Sequence, residues 1–281
     1  MPARLASDHV RAQTVSGAWL GAVRTALDSP SHRLFHLITR IEQPIAEDDA
    51  VRQAADGLLT DLKLPPIETV ANTIFPSGLA ATSKNWEHLS QRYRKAYPTL
   101  KRWRANRPGT YFGRLVAYPA AGQEIDQVGE LIRKLRVELG TAGPKAARYE
   151  LSLVAPGEAL PAPSHAPMGV APDSDDNDAV VLSQPLPVQC PGEDVAAMAF
   201  PCLSYCSFQL DGSLLHAVAH YRSQYLVQRA YGNYLGLGRL LRYVSEQAEL
   251  DMGELMVVGA YVQIDPGVSR PKVRAAIESI P

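Results

Sequence analysis

The run C-L-S-Y-C-S-F-Q-L-D-G-S-L-L-H-A-V-A-H-Y, Cys202 to Tyr221, constrains the fold more than any other stretch of the chain. Apolar and polar residues alternate on both sides of Asp211-Gly212, the pattern of two half-buried strands joined by a tight D-G turn. The next segment is equally directive. Arg222-Ser223 leads to Y-L-V-Q-R-A-Y-G-N-Y-L-G-L-G-R-L-L-R-Y-V-S-E-Q, which reads as a long helix opening near Asn233. Then M-G-E-L-M-V-V-G-A-Y-V-Q-I-D returns to strand spacing and ends at Asp265. Strand, strand, helix, strand is an α/β arrangement. It sets a thiol, a guanidinium and a carboxamide at the ends of elements, as in a site that binds an anion and attacks a ring.

Upstream, residues 1 to 30 read as a short helical lead-in and Leu34 to Ile41 as a strand. Asp48 to Leu62 has helical spacing with an acidic first turn, and Pro65-Pro66 stops it. Val70 to Phe75 is strand-like. Lys84 to Arg104 predicts one or two surface helices broken at Pro98, with its basic residues on a solvated face. Ile125, Val128, Leu131, Ile132 and Leu135 predict an amphipathic helix, and a strand follows Arg148. Pro156 to Pro187, rich in proline and small polar residues, predicts a loop outside the sheet.

With 281 residues, 46% of them hydrophobic, the chain can bury a large core. A net charge of −1 gives no bulk attraction to polymeric nucleic acid. Three cysteines, an N-terminus without an apolar signal region, and no apolar run of the roughly 20 residues a membrane span needs predict a reduced, cytoplasmic protein with no membrane partner.

No metal site is expected. Cys202 and Cys206 fall on the same side of one strand about 13 Å apart by strand rise, too far for a disulfide or a shared ion. His216 and His220 have the same spacing on a strand. The acidic run Asp173, Asp175, Asp176 and Asp178 lacks the glycine and terminal glutamate of a calcium loop. The glycines near Asn233 follow no strand directly and are not a dinucleotide fingerprint.

Taken singly, Cys202 reads first as a buried structural thiol, Arg222 can be an ordinary surface arginine, and Asn233 is as readily a helix cap as a binding residue. Their spacing says more. Cys202 to Arg222 is 20 positions, Arg222 to Asn233 is 11, and Asn233 to Gln263 is 30. With Pro201-Cys202, Arg222-Ser223 and the ending G-E-L-x-V-x-G-x-Y-x-Q-x-D, the chain resembles the thymidylate synthases and, more weakly, the pyrimidine nucleotide hydroxymethylases. The resemblance covers roughly residues 109 to 265.

The resemblance implies a single α/β domain spanning 1–281, a mixed sheet flanked by helices, and a homodimer joined sheet to sheet. It implies an enzyme of pyrimidine nucleoside monophosphates, a C5 methyl- or hydroxymethyltransferase. Cys202 is then the nucleophile and Glu68 the counterpart of a proton-relaying glutamate. Arg222 and Ser223 clamp the phosphate, joined by Arg148 reaching across to the partner subunit's nucleotide. Asn233 reads a uracil-type base. The departures are equally specific. Leu203 and Tyr221 replace a histidine and a glutamine. Gln263 and Asp265 replace the sugar-binding histidine and tyrosine, and Asp265 is expected to pair with ribose hydroxyls. Phe112 stands for an active-site tyrosine. Tyr225 stands for the aspartate that holds the pterin ring, which argues against methylenetetrahydrofolate as the donor. The competing expectation is a non-catalytic nucleotide-binding or scaffold homologue that has lost folate chemistry.

Overall fold

The computed structural model describes residues 9–103, 106, 109–120, 123–147, 149–152 and 202–280. The loop expected over Pro156 to Pro187, the acidic run within it, Cys190, Arg148 and Pro201 lie outside the described residues.

Seven strands form one mixed sheet. β1 (His9–Thr14) runs parallel to β2 (Arg33–Gln43), and β2 is antiparallel to β9 (Asp251–Gln263). β9 is parallel to β7 (Leu214–Tyr221), which pairs antiparallel with β6 (Leu203–Asp211), and β6 with β5 (Tyr149–Ser152). The short β8 (Gln224–Tyr225) joins the end of β9, and β3 (Tyr118–Ala120) and β4 (Gln123–Ile125) make a separate ribbon. The three parallel pairs, β1 with β2 and both β7 and β8 with β9, need crossovers, and each crossover uses a helix. α1 (Val15–Asp28) joins β1 to β2, and α8 (Tyr231–Ala248) joins β7 to β9. The two helices touch each other, so they cover the same sheet face.

That face holds the core, in rows set by strand register. Thr39, Val257 and Ala219 lie side by side and are all buried, as are Ile41, Leu255 and Ala217. The buried apolar residues form one cluster that runs from Val10 in β1 to Ile277 in α9 (Arg270–Glu278). Among the described residues the opposite face is less covered: Phe35 and Ile38 are exposed, and Val218, Met256 and Val258 are half-buried. Among the described residues no helix is long and apolar enough to cross a membrane.

Several expectations from the sequence need correction. The lead-in before Leu34 contains a strand, β1, before its helix. The expected strand at Val70 to Phe75 is the second half of α3 (Ile67–Ile74). Ile67, Val70, Ala71 and Ile74 are buried at i, i+3, i+4 and i+7, a helical stripe that shows only when the window opens at Pro66. α5 (Trp86–Leu100) continues through Pro98. The proline sits in the last turn, where its missing N–H removes one terminal bond and breaks nothing upstream. By contrast α2 (Asp49–Asp61) starts as expected. The Asp48 carboxylate accepts from the Val51 N–H at 2.9 Å.

α3 packs against α8, and the glycines of Y-G-N-Y-L-G-L-G-R explain why they approach so closely. A Cβ at Gly232 would lie 2.8 Å from the Ile67 carbonyl oxygen, and one at Gly236 would lie 2.7 Å from that of Ala71. These glycines serve helix packing.

Candidate functional site

The 20-residue spacing between Cys202 and Arg222 is the geometry of a hairpin. β6 and β7 are joined at one end by the turn at Gly212, whose φ of 60° is the left-handed conformation a D-G turn requires. At the open end the Arg222 N–H donates to the Cys202 carbonyl at 3.0 Å. The pairing therefore brings Cys202 and Arg222 together from opposite strands.

A bulge decides which way the end of β6 faces. The pairing steps from Leu203 opposite Tyr221 to Tyr205 opposite His220, so Ser204 is an extra residue on β6. The bulge shifts the alternation by one. Leu203, Cys206, Phe208 and Leu210 are all buried on the core side, and Cys202 is half-buried at the sheet end. Cys202 and Cys206 thus do not share the even alternation that the sequence predicts. Ser204 donates to the His220 carbonyl at 3.1 Å and lies 2.9 Å from Nδ1 of the same histidine.

Two cations act on Cys202. Burial pushes its thiol above the ordinary value, the larger effect, while Arg222 and then Arg229 oppose the rise. The resting group is a thiol, not a preformed thiolate. A phenol completes the cluster. Tyr111 opens α6 (Tyr111–Val116), whose first turn is held by the Thr110 hydroxyl accepting from the Gly113 N–H at 3.1 Å. Backbone N–H groups of Leu203 and Cys202 donate to the Tyr111 hydroxyl, and burial, helped by nearby Cys202, pushes that phenol up to about 12.

Tyr111, not Phe112, is therefore the aromatic residue at the thiol. Phe112 is buried in an aromatic cluster, edge-on to Phe75 at 5.8 Å and to Tyr93 at 4.8 Å between ring centres. Adjacent residues on a helix point about 100° apart, which separates the two side chains so sharply. Behind the thiol, Tyr221 is fully buried. Its hydroxyl and the Nε2 of buried Gln224 have no hydrogen-bond partner among the described residues.

Arg229 is carried by an unusual element. Leu226–Ala230 forms a π-helical turn between β8 and α8. It is held from two sides. Trp19 Nε1 donates to the Leu226 carbonyl at 2.9 Å, and the Asp265 carboxylate accepts from the Val227 N–H at 2.8 Å and the Gln228 N–H at 3.0 Å. Leu226, Val227 and Ala230 are buried, while Arg229 is exposed. Asn233 follows, buried on the first turn of α8.

The structure gives the remaining predicted site residues other surroundings. Both oxygens of buried Asp265 are committed to backbone N–H groups, which corrects the expectation of a carboxylate held ready for ribose. Burial raises its pKa, and those two hydrogen bonds partly offset the rise. Gln263 Oε1 accepts from the Tyr261 hydroxyl at 3.0 Å. Tyr225 lies beside Gln263 on β8 with its ring exposed. Ser223 is half-buried. Glu68, on α3, accepts two hydrogen bonds from Arg239 at 2.7 and 2.8 Å and one from Arg52 at 3.2 Å. Arg239 above all holds this carboxyl below its ordinary range. These are the contacts of a structural carboxylate that stays ionised.

A cleft of about 400 Å³ opens at the end of β9. Gln263 and Asp265 line it together with Ser31, Arg33 and Arg270. Asp265 thus stands in the cleft wall while it holds the π turn. Among the described residues no group of three or more His, Cys, Asp or Glu side chains is placed to hold a metal ion.

Sequence reasoning missed Tyr111, Arg229, Arg33 and Arg270. A one-residue register separates Tyr111 from Phe112, and nothing in a helical pattern marks a π turn. Compared with known proteins, the chain matches no family model and no curated protein.

Proposed function

We propose that the chain is a thymidylate synthase-like transferase acting at C5 of a uracil-type nucleoside monophosphate. The observation that carries this reading is the meeting of Cys202 and Arg222 at the open end of one hairpin, with Arg229 and Tyr111 around the same thiol. Arg222 and Ser223 bind the phosphate, since a guanidinium fork and a hydroxyl suit its oxygens. Asn233, which both donates and accepts, pairs with the base.

The Cys202 thiol loses its proton as the substrate binds, and the sulfur adds to C6. The electron pair of the C5=C6 bond moves to C5, which attacks a one-carbon electrophile. Loss of the C5 proton then expels the thiolate and restores the ring. Tyr111, beside the thiol, is the group that can carry a proton. The electrophile is not methylenetetrahydrofolate in this reading, because exposed Tyr225 offers no carboxylate to a pterin. The working unit is a homodimer.

A second reading is supported by a specific observation. Glu68 is locked between Arg52 and Arg239, and Asp265 is locked to the π turn. A protein that binds a nucleotide and no longer transforms it would retain such a framework. Incubation with 5-fluoro-dUMP, with and without methylenetetrahydrofolate, separates the two. A nucleotide-sized mass increase on the Cys202 peptide supports the enzyme. Nucleotide binding with no adduct and no tritium release from 5-tritiated UMP or dUMP supports the binding protein.

A further inference from the structure

We propose that Arg229 is a second cation of the Cys202 site, and that Asp265 is the residue that positions it, acting through the π turn. The inference rests on the proposal that Cys202 is the reactive group, and adds what sets its reactivity and draws an anionic reactant to it.

A π turn widens the backbone by one residue relative to an α-helix, is rare, and persists where surrounding contacts hold it. Leu226–Ala230 is anchored at its carbonyl side by Trp19 and at its N–H side by both oxygens of Asp265. Leu226, Val227 and Ala230 point into the core. Arg229 is the one charged side chain of the turn, and its exposed guanidinium belongs to the group formed by Tyr111, Cys202 and Arg222.

Arg222 enters this cluster from the end of β7 and Arg229 from the turn seven residues later, so the thiol has two guanidinium groups from one chain. Asp265 lies 36 positions beyond Arg229 in sequence, two residues past the end of β9, yet it decides the path of the turn. A buried carboxylate that accepts two consecutive N–H groups imposes a fixed backbone at that point. An asparagine there could satisfy one N–H with its oxygen, but its NH₂ would oppose the other.

The test uses the full chain and two alkylating reagents of similar size, neutral iodoacetamide and anionic iodoacetate. Peptide mass spectrometry reads Cys202 separately from Cys190 and Cys206, between about pH 6 and 9.5, a range that brackets the ordinary thiol. The ratio of iodoacetate to iodoacetamide rates reports the cations beside the sulfur independently of its ionisation, and the pH profile reports the ionisation. Removing one of two nearby cations in Arg229→Ala should cut the iodoacetate rate about tenfold and the iodoacetamide rate about threefold, and move the profile to higher pH. Arg229→Lys should restore most of the iodoacetate preference. Asp265→Asn should behave like Arg229→Ala although Arg229 is present. If Asp265→Asn does not fold, Trp19→Phe, which removes the other anchor of the turn, takes its place with the same expectation.

Equal ratios in wild type and Arg229→Ala would overturn the role of Arg229. A normal ratio in folded Asp265→Asn or Trp19→Phe would overturn the positioning role. Cys202 resistant to both reagents in the native wild type would overturn this inference and the nucleophile together. Failure of nucleotide turnover with the ratios as expected would leave this inference standing and remove only the reaction.

Discussion

Glu68 separates two kinds of explanation at the level of a single side chain. As a proton relay, Glu68→Gln would lower turnover by roughly 10²–10⁴-fold. Held by Arg239 and Arg52, it should instead lower stability, by about 1 kcal/mol once its partial exposure is discounted. The sign of the pH dependence comes from the direction of its shift. The folded-state carboxyl lies below its ordinary value, so its stabilisation is present above the unfolded pKa and is lost as pH falls through the folded one. Urea melts of wild type and Glu68→Gln should therefore differ at about pH 7 and converge well below about pH 4, the carboxylate range. A gap that persists in acid would show that Glu68 stabilises through something other than its charge. Tyr111 and Phe112 give the complementary contrast. Phe112→Ala removes a buried ring that packs edge-on against Phe75 and Tyr93, and it should cost about 3–5 kcal/mol by thermal or urea melts. Tyr111→Phe keeps the ring and removes the acceptor for the Leu203 and Cys202 N–H groups. It should cost about 1 kcal/mol and slow C5 tritium exchange at least about tenfold. Equal exchange rates in wild type and Tyr111→Phe would remove the phenol from the chemistry.

Elements differ in how far their sequence declares them, and the difference is physical. The β6–β7 hairpin is legible because a period of two and a D-G turn fix both strands and register. The same register explains why Cys202 and Arg222 meet, so the heart of the candidate site is legible too. α2 is legible through its Asp48 cap. α3 is not, because V-A-N-T-I-F shows only the last turn and a half of its stripe. The Ser204 bulge, the π turn and the commitment of Asp265 are settled by contacts distant in sequence, which a local pattern does not carry. The α3–α8 contact lies between these cases. Its glycines are visible, but only the approach of α3 shows why they are glycines. Gly236→Ala gains up to about 1 kcal/mol of helix propensity. It also sets a methyl group 2.7 Å from the Ala71 carbonyl oxygen, and overpacking typically costs about 1–3 kcal/mol. Net destabilisation is expected, measured as a lower urea midpoint with unchanged slope. A midpoint at or above wild type would mean that the two helices separate freely.

At the scale of the molecule the unequal faces of the sheet are the feature with most consequence. α1 and α8 cover one face. On the other, Ile38, Val258, His220 and Tyr205 lie side by side across β2, β9, β7 and β6, and the next row runs Arg40, Met256, Val218 and Ser207. Phe35 packs at a tilt against Tyr261, 5.2 Å between ring centres, yet is 58% exposed. Apolar Ile38, Val258, Met256 and Val218 sit together at the middle of this face, flanked by Arg40 bonded to Glu254, His220 and Ser207, the mixed character of an interface with an apolar centre and a polar surround. A second copy is the occupant we propose, because a two-fold axis near Val258 would set this face against itself and make one surface serve both partners. Val258→Asp tests the proposal most directly. In a dimer, two unpaired carboxylates would be buried near the axis; in a monomer, the aspartate would remain in water. Burial of an unpaired charge should weaken association by about 2–3 kcal/mol or more, roughly 30–150-fold in Kd. Sedimentation equilibrium at micromolar concentration should give a dimer for wild type and a monomer for Val258→Asp, with the same far-ultraviolet circular dichroism. Glu254→Gln, in the charged surround, should leave the dimer intact. A wild-type monomer at that concentration would refute the dimer itself. A dimer unaffected by Val258→Asp would move the interface to another surface.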